Sequence, residues 1–280
     1  MKKLLRTTSF AALFTAASPM VSAATVAHYR FEEGVGPITS ATDSSGNGNT
    51  LSNSGAPNYG TAVAGPVVNP GGLANAGSAS LSGGAYLQDA NPTTSVLGTT
   101  SFLNFTIEGM VNFGATLEGV ESIVGKTETA TGAEAFRDGF YLNKFFGNQF
   151  RLEAATVGGN YITVESGATL AATNTWYHVA AVGDSVAGTL SLYVNYNLVG
   201  SATGFDGLFV ADAAAGSKWL VGAAGINNNQ IVDQLNGSVD EVRFSDTALV
   251  PSEFLTAVPE PSTSLALLSG LGLLGLRRRR

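Results

Sequence analysis

The chain has no cysteine and only two histidines among its 280 residues. Without thiols there is no disulfide framework, no thiolate zinc site and no cysteine nucleophile. The two imidazoles, His28 and His178, leave little material for a histidine-rich metal centre, and no Gly-x-Ser-x-Gly elbow accompanies them as a serine triad would need. Charge is also scarce, at 12% of residues beside 35 glycines, which excludes a coiled coil or a helix-rich bundle. Nine prolines without a glycine period exclude a collagen-like triple helix. The length suits one large β domain, and a single domain with two removable ends is the simplest division.

Much of the basic charge collects at the ends, in Lys2, Lys3 and Arg6 and in Arg277 to Arg280. Between them, up to Ala257, seven basic residues stand against twenty acidic ones, a net charge of −13. Such a body repels phosphates and anionic lipid, so no nucleic-acid partner is expected. The basic start, an apolar stretch from Phe10 to Ala17 and the small residues Val21-Ser22-Ala23 read as a signal peptide over residues 1–23, cleaved after Ala23. At the other end, Val258-Pro259-Glu260-Pro261-Ser262 precedes an apolar run, Leu265 to Leu276, and then the four arginines. A short transmembrane helix over about 263–276 follows, with the arginines snorkelling on the cytoplasmic side and the body outside.

This order of VPEPS, Leu/Gly helix and Arg cluster over 258–280 resembles the PEP-CTERM tail of exported Gram-negative proteins. The resemblance implies recognition by a membrane exosortase and cleavage near Pro259, Glu260 and Pro261. It further implies an inner-membrane intermediate, then delivery to the cell surface or extracellular matrix. A permanent C-terminal anchor is the alternative.

Residues 24–257 read as strands. Short β-rich runs, among them VAHYRF, AYLQ, FTIEGMVNF, SIVGK, GFYLNKF, QFRLEA, YITVE, WYHVAAV, LSLYVNYN, KWLVG and GSVDEVRF, recur between Gly, Asn, Ser and Asp turns. In FTIEGMVNF, Phe105, Ile107, Gly109, Val111 and Phe113 share one face, and Thr106, Glu108 and Asn112 the other, which predicts one buried and one wet face. LSLYVNYN repeats the pattern, with Leu190, Leu192, Val194 and Tyr196 opposed to Ser191, Tyr193 and Asn195. Antiparallel sheets with half-solvated faces follow. The stretch Asn53 to Ser82 reads as a long surface connection, and Pro251 to Leu255 as a single helical turn.

Five pieces in order, HYRFEEG with DSSGNGN, FTIEGMVNF, TWYHVAAV, LSLYVNYNLVGSA and LNGSVDEVRFSDTALVPSEF, resemble the LamG-like members of the concanavalin A-like lectin/glucanase superfamily. The resemblance covers most of residues 26–256 and implies an all-β, antiparallel jelly-roll sandwich. It does not fix an activity, because one fold hosts many functions.

Three places invite chemistry. The loop Asp43 to Asn49 offers oxygen ligands at alternate positions, so Asp43, Asn47 and Asn49 are candidate ligands for a structural Ca2+. The resemblance brings Asp240 near this loop to complete the site. The alternative is an Asx-turn in which Asp43 caps its own backbone. His178, on the face of Trp176, Ala180 and Val182, reads as a satisfied core histidine. The acidic pattern Glu-x-Asp-x-x-Glu of the superfamily's glucanases is missing, and Asp240 and Glu241, being adjacent, are expected on opposite faces of their strand.

The reading is therefore an exported surface or matrix protein, not an enzyme, that binds a polysaccharide or cell-surface glycan. Trp219, Tyr86, Tyr141, Tyr161 and Tyr193 are candidate sugar platforms. A purely structural matrix protein without a glycan ligand and a glycan hydrolase are the alternatives.

Overall fold

A computed structural model describes residues 25–61, 67–68, 75–100, 102–117, 119–126, 139–209, 217–227 and 230–257. The signal peptide and Ala23 cleavage site expected from the sequence, the sorting signal from 258 onward and the helix expected over 263–276 lie outside the described residues. No described helix is long and apolar enough to cross a membrane.

Two antiparallel sheets stack face to face. The larger runs in the order Asn197–Thr203, Thr189–Val194, Trp176–Asp184, Asn104–Phe113, Gly237–Ser245, Ser78–Leu81, Asn58–Gly60 and Gly36–Pro37, and Thr25–Tyr29 also pairs with Gly237–Ser245. The smaller runs Tyr161–Leu170, Gln149–Ala155, Phe140–Lys144, Glu121–Lys126, Trp219–Val221, Tyr86–Asp89, Leu51–Ser54 and Ser40–Ala41. The outer strands pair with their neighbours in sequence, but the central pairs, such as Asn104–Phe113 with Gly237–Ser245 and Glu121–Lys126 with Trp219–Val221, join distant segments and close the sandwich, as in a jelly-roll.

The alternation read from the sequence points Phe105, Ile107, Val111 and Phe113 into the core, opposite Phe140, Leu142, Phe150 and Leu152 of the other sheet. At the centre Trp219 meets Phe102, Phe140 and Phe244 at 5.8, 5.5 and 5.1 Å, and Phe105 meets Phe140 and Phe205 at 5.7 and 5.6 Å. Each fully buried ring stabilises by roughly 1.5–3 kcal/mol, and edge-on pairs add about 1 kcal/mol more. This aromatic centre holds the two layers together where a secreted domain often uses disulfides.

Four expectations change. The stretch 53–82 is not merely a connection, because Leu51–Ser54, Asn58–Gly60 and Ser78–Leu81 are paired strands of the two sheets. The face carrying Thr106 and Glu108 is not wet: both residues are buried, because the segment from Ala248 to Leu255 packs over it. Within that segment Pro251–Glu253 makes the expected turn, as a 3-10 helix. Tyr196 does not continue the inward row of Leu190, Leu192 and Val194. With Asn195 it forms a two-residue turn at φ 47° and 67°, the primed type that matches strand twist, and this sends its ring to the outer face.

Finally, Asp240 and Glu241 do not point apart. The register between Gly237–Ser245 and Asn104–Phe113 shifts between Asp240 and Arg243, and Glu241 takes φ 49°. Such a bulge places both acids on the outer side while Val239, Val242 and Phe244 remain in the core.

Candidate functional site

The loop after Thr42 is organised around the Asp43 carboxylate. One oxygen accepts from the backbone N–H groups of His28 and Ser45 at 3.0 and 2.9 Å. The other accepts from the backbone and side-chain nitrogens of Asn49 at 2.9 and 3.1 Å. Asn47 and Asn49 turn their amide nitrogens onto backbone carbonyls of the first strand, and the Asn49 amide oxygen accepts from Leu97 N. Burial pushes the Asp43 carboxyl up, but the bonds from Ser45, His28 and Asn49 outweigh it and hold it below its ordinary value. A hard cation needs six to eight oxygen ligands with lone pairs to give. Four donors already fill the Asp43 oxygens, so this arrangement is the Asx-turn, and its donor set does not fit calcium.

Asp240 sits in the bulge and accepts from the Asn75 amide at 2.8 Å, a contact separate from those of Asp43. Its neighbour Glu241 binds His28 Nε2 at 2.7 Å and Arg30 Nε at 3.3 Å, tying the first strand to the last long one. Glu241 is therefore engaged in joining strands, and Asp240 in holding the segment that leads into Ser78–Leu81.

His178 is buried, as expected of a core histidine, but on the outer side of its sheet. Its Nε2 lies 2.8 Å from Glu108 Oε2, which also accepts from Leu255 N at 2.9 Å. The other Glu108 oxygen accepts from Arg243 Nε at 2.7 Å and from a second guanidinium nitrogen, which also donates to the Glu253 carbonyl. The His178 ring stacks on Tyr196 at 4.4 Å. Burial pushes the Glu108 carboxyl up, yet His178 and the Arg243 charge hold it below its ordinary value. This group pins the C-terminal segment to the sandwich.

On the outer face of the smaller sheet, Tyr141, Arg151, Glu153 and Thr163 stand opposite the inward Leu142, Leu152 and Val164. Arg151 binds Glu153 at 2.8 Å and lies 4.0 Å from the centre of the Phe145 ring. The Tyr141 hydroxyl donates to Asp233. Burial pushes both the Glu153 and Asp233 carboxyls up, only partly offset by Arg151 and Thr163 for the first and by Tyr141 for the second.

At the end of this face the strand Gln149–Ala155 turns back into Tyr161–Leu170. Thr156 N donates to Asn160 O at 2.8 Å, Gly159 N to Thr156 O at 2.9 Å, and Asn160 N to the Thr156 hydroxyl at 3.1 Å. Gly159 takes φ 82°, a conformation that suits glycine. Phe209 is laid beside the turn by its bond to Ala155 O at 2.9 Å. Together Ala155, Thr156, Val157, Gly159, Asn160, Tyr161 and Phe209 enclose an open pocket of about 240 Å³.

Of the five candidate platforms only Tyr161 lines this pocket. Trp219 is a core ring, Tyr141 is buried, Tyr193 packs edge-on against Phe254 at 5.2 Å, and Tyr86 lies in a central strand. Phe209 was not expected, because the apolar run Leu208-Phe209-Val210 is too short to read as a strand and shows no alternation.

Residues 81–254, more than half the chain, match the Concanavalin A-like lectin/glucanases superfamily. Residues 257–280 match the PEP-CTERM protein-sorting motif, which marks an exported protein processed at the membrane. No curated protein sequence matches the chain. Among solved structures it is similar to domain 4 of AbnA, an extracellular GH43 arabinanase from Geobacillus stearothermophilus, in complex with arabinotriose. The TM-score is 0.57 at 18% identity over 82% of this chain and 96% of that one. It is also similar to the CBM40 domain of a Ruminococcus gnavus sialidase bound to α2,3-sialyllactose, with TM-score 0.52 and 16% identity over 64% and 94% of the two chains. A Trypanosoma rangeli sialidase mutant gives 0.54 at 14% identity over 86% of this chain but 33% of that one. These likenesses show the fold.

Proposed function

The chain belongs to the Concanavalin A-like lectin/glucanases superfamily, and from that membership we propose that it is an exported, non-catalytic carbohydrate-binding protein of the cell surface or extracellular matrix. The observation that carries this reading is the open pocket in which two aromatic residues, Tyr161 and Phe209, meet the uncharged polar groups of Thr156 and Asn160. Sugars present C–H faces to aromatic rings and hydroxyls to fixed polar groups, and a concave site of this composition suits them. Two of the similar structures carry sugars, arabinotriose in one and α2,3-sialyllactose in the other, which supports the reading without specifying a ligand.

One observation favours hydrolysis as a second reading. Glu153 and Asp233 are both acids raised by burial, and they flank Tyr141 on one sheet face. A paired acid and base on a glycosidic bond needs such carboxyls. Here Glu153 is bound by Arg151 and Thr163, and Asp233 by Tyr141, so these contacts support an anchoring role instead.

The test is an array of neutral and acidic glycans probed with the exported protein, followed by an assay for new reducing ends on whatever binds. Saturable binding with no sugar release is the expected result. Release that is lost in Glu153→Gln would replace the reading with hydrolysis. Absence of any glycan binding would leave a structural matrix role.

A further inference from the structure

Resting on the carbohydrate reading, we infer that the pocket between residues 155–161 and Phe209 takes one neutral sugar residue at the end of a glycan chain, held end-on. Its place in the fold is the first reason. The pocket lies at a corner of the sandwich, where one strand turns back into the next, and not along a sheet face that a long chain could follow. Its size is the second. About 240 Å³ falls below the range of pockets that enclose larger ligands, which begins at roughly 300 Å³.

Charge is the third reason. Among the described lining residues none is ionised at neutral pH, Tyr161 being the one titratable group there. Behind the turn stands the Asp206 carboxylate, so close that a Cβ added to Gly158 would lie 2.2 Å from its oxygen. An anionic sugar, such as a sialic or uronic acid, would approach this carboxylate with no positive group among the described lining residues to offset it. A neutral residue meets no such cost.

The lining also divides the work. Phe209 and Val157 are 44% and 57% exposed, an apolar wall open to solvent that is worth covering. Asn160 is exposed, and its side-chain amide makes no hydrogen bond to any described residue. It therefore keeps both donors and its acceptor for sugar hydroxyls. The backbone of the turn is already closed on itself by the Thr156 and Gly159 bonds, so the amide is presented on a fixed support and ordering it costs little.

The test is calorimetric titration of the full-length protein with di- to hexasaccharides ending in glucose, galactose or arabinose, and with sialyllactose. The same series is run on Asn160→Ala and Phe209→Ala, both checked for an unchanged melting temperature. We expect one neutral terminus to bind with an affinity that does not grow with chain length, and each variant to lose about tenfold or more. Affinity rising with every added residue would overturn end-on binding. A preference for sialyllactose would overturn the neutral ligand. Neutral-glycan binding untouched by both variants would overturn this pocket while leaving the carbohydrate reading intact. Failure of the wild type to bind any sugar would remove that reading as well.

Discussion

Lys126 extends into the core, its ammonium 5.4 Å from the centre of the Trp219 ring and without a hydrogen-bond partner among the described residues. Burial lowers its amine from 10.5 to about 8, against the opposing pull of Asp89. A folded-state value below the unfolded one means that the unfolded chain holds the proton more tightly between those two pH values. The cost of burying the charge is therefore fully present below about pH 8 and is relieved as pH rises toward 10.5. Replacing the ammonium by an apolar chain of similar length removes the cost. Lys126→Met should stabilise the protein at neutral pH by on the order of 2 kcal/mol, measured by urea unfolding. The gain should shrink at pH 10, and equal or lower stability at pH 7 would contradict the account.

Asp43 is the opposite kind of residue, an acid whose charge is fully used. Its four accepted bonds predict that a chelator leaves the melting temperature unchanged, whereas Asp43→Ala destabilises by about 2–4 kcal/mol through the buried N–H groups it abandons. A fall in melting temperature on chelation, restored by Ca2+, would reinstate the calcium loop. The sequence offered both readings of Asp43 to Asn49, because a turn and a cation use the same oxygens at the same spacing. The four donors on the Asp43 oxygens and the direction of the Asn47 and Asn49 nitrogens, onto the first strand, separate them.

At the scale of elements, the C-terminal segment is held by three groups converging on one carboxylate. Removing the Glu108 charge leaves the Arg243 guanidinium and His178 buried without their partner, so Glu108→Gln should cost about 3–5 kcal/mol in chemical unfolding. The Glu108 carboxyl is lowered in the fold. The stability it contributes is thus present above the ordinary value of 4.5 and is lost as pH falls through the lower folded value. The acid-side loss of stability should be shallower in Glu108→Gln than in the wild type. An identical slope would show that the segment is held by packing of Phe254 and Leu249 alone.

The same scale separates the legible from the illegible. Long strands with clean alternation, such as Asn104–Phe113 and Thr189–Val194, follow from the sequence because a two-residue period needs no partner to be seen. Ser78–Leu81 owes its existence to a strand far away in sequence, Gly237–Ser245, and its composition reads as loop. The bulge at Asp240–Glu241 likewise leaves no local trace, yet it decides which face both acids occupy. Tyr161 was visible as a candidate, but Phe209 was not, because the pocket exists only where two segments meet.

At the scale of the whole molecule, the net charge of −13 between the basic ends is a reason for proposing an uncharged ligand. Three basic residues of the body give no exposed positive patch: Lys126 and Lys144 are buried, and Arg151 is paired with Glu153 and Glu165. A neutral glycan held by ring faces and hydrogen bonds gains little from ionic attraction, so its affinity should be nearly independent of salt. Equilibrium titration of the exported protein with its best-binding glycan, at low and at high ionic strength, tests this most directly. The account predicts saturable binding of a neutral glycan whose Kd changes by less than about twofold. Retention confined to acidic polymers, falling steeply as salt is added, would contradict it.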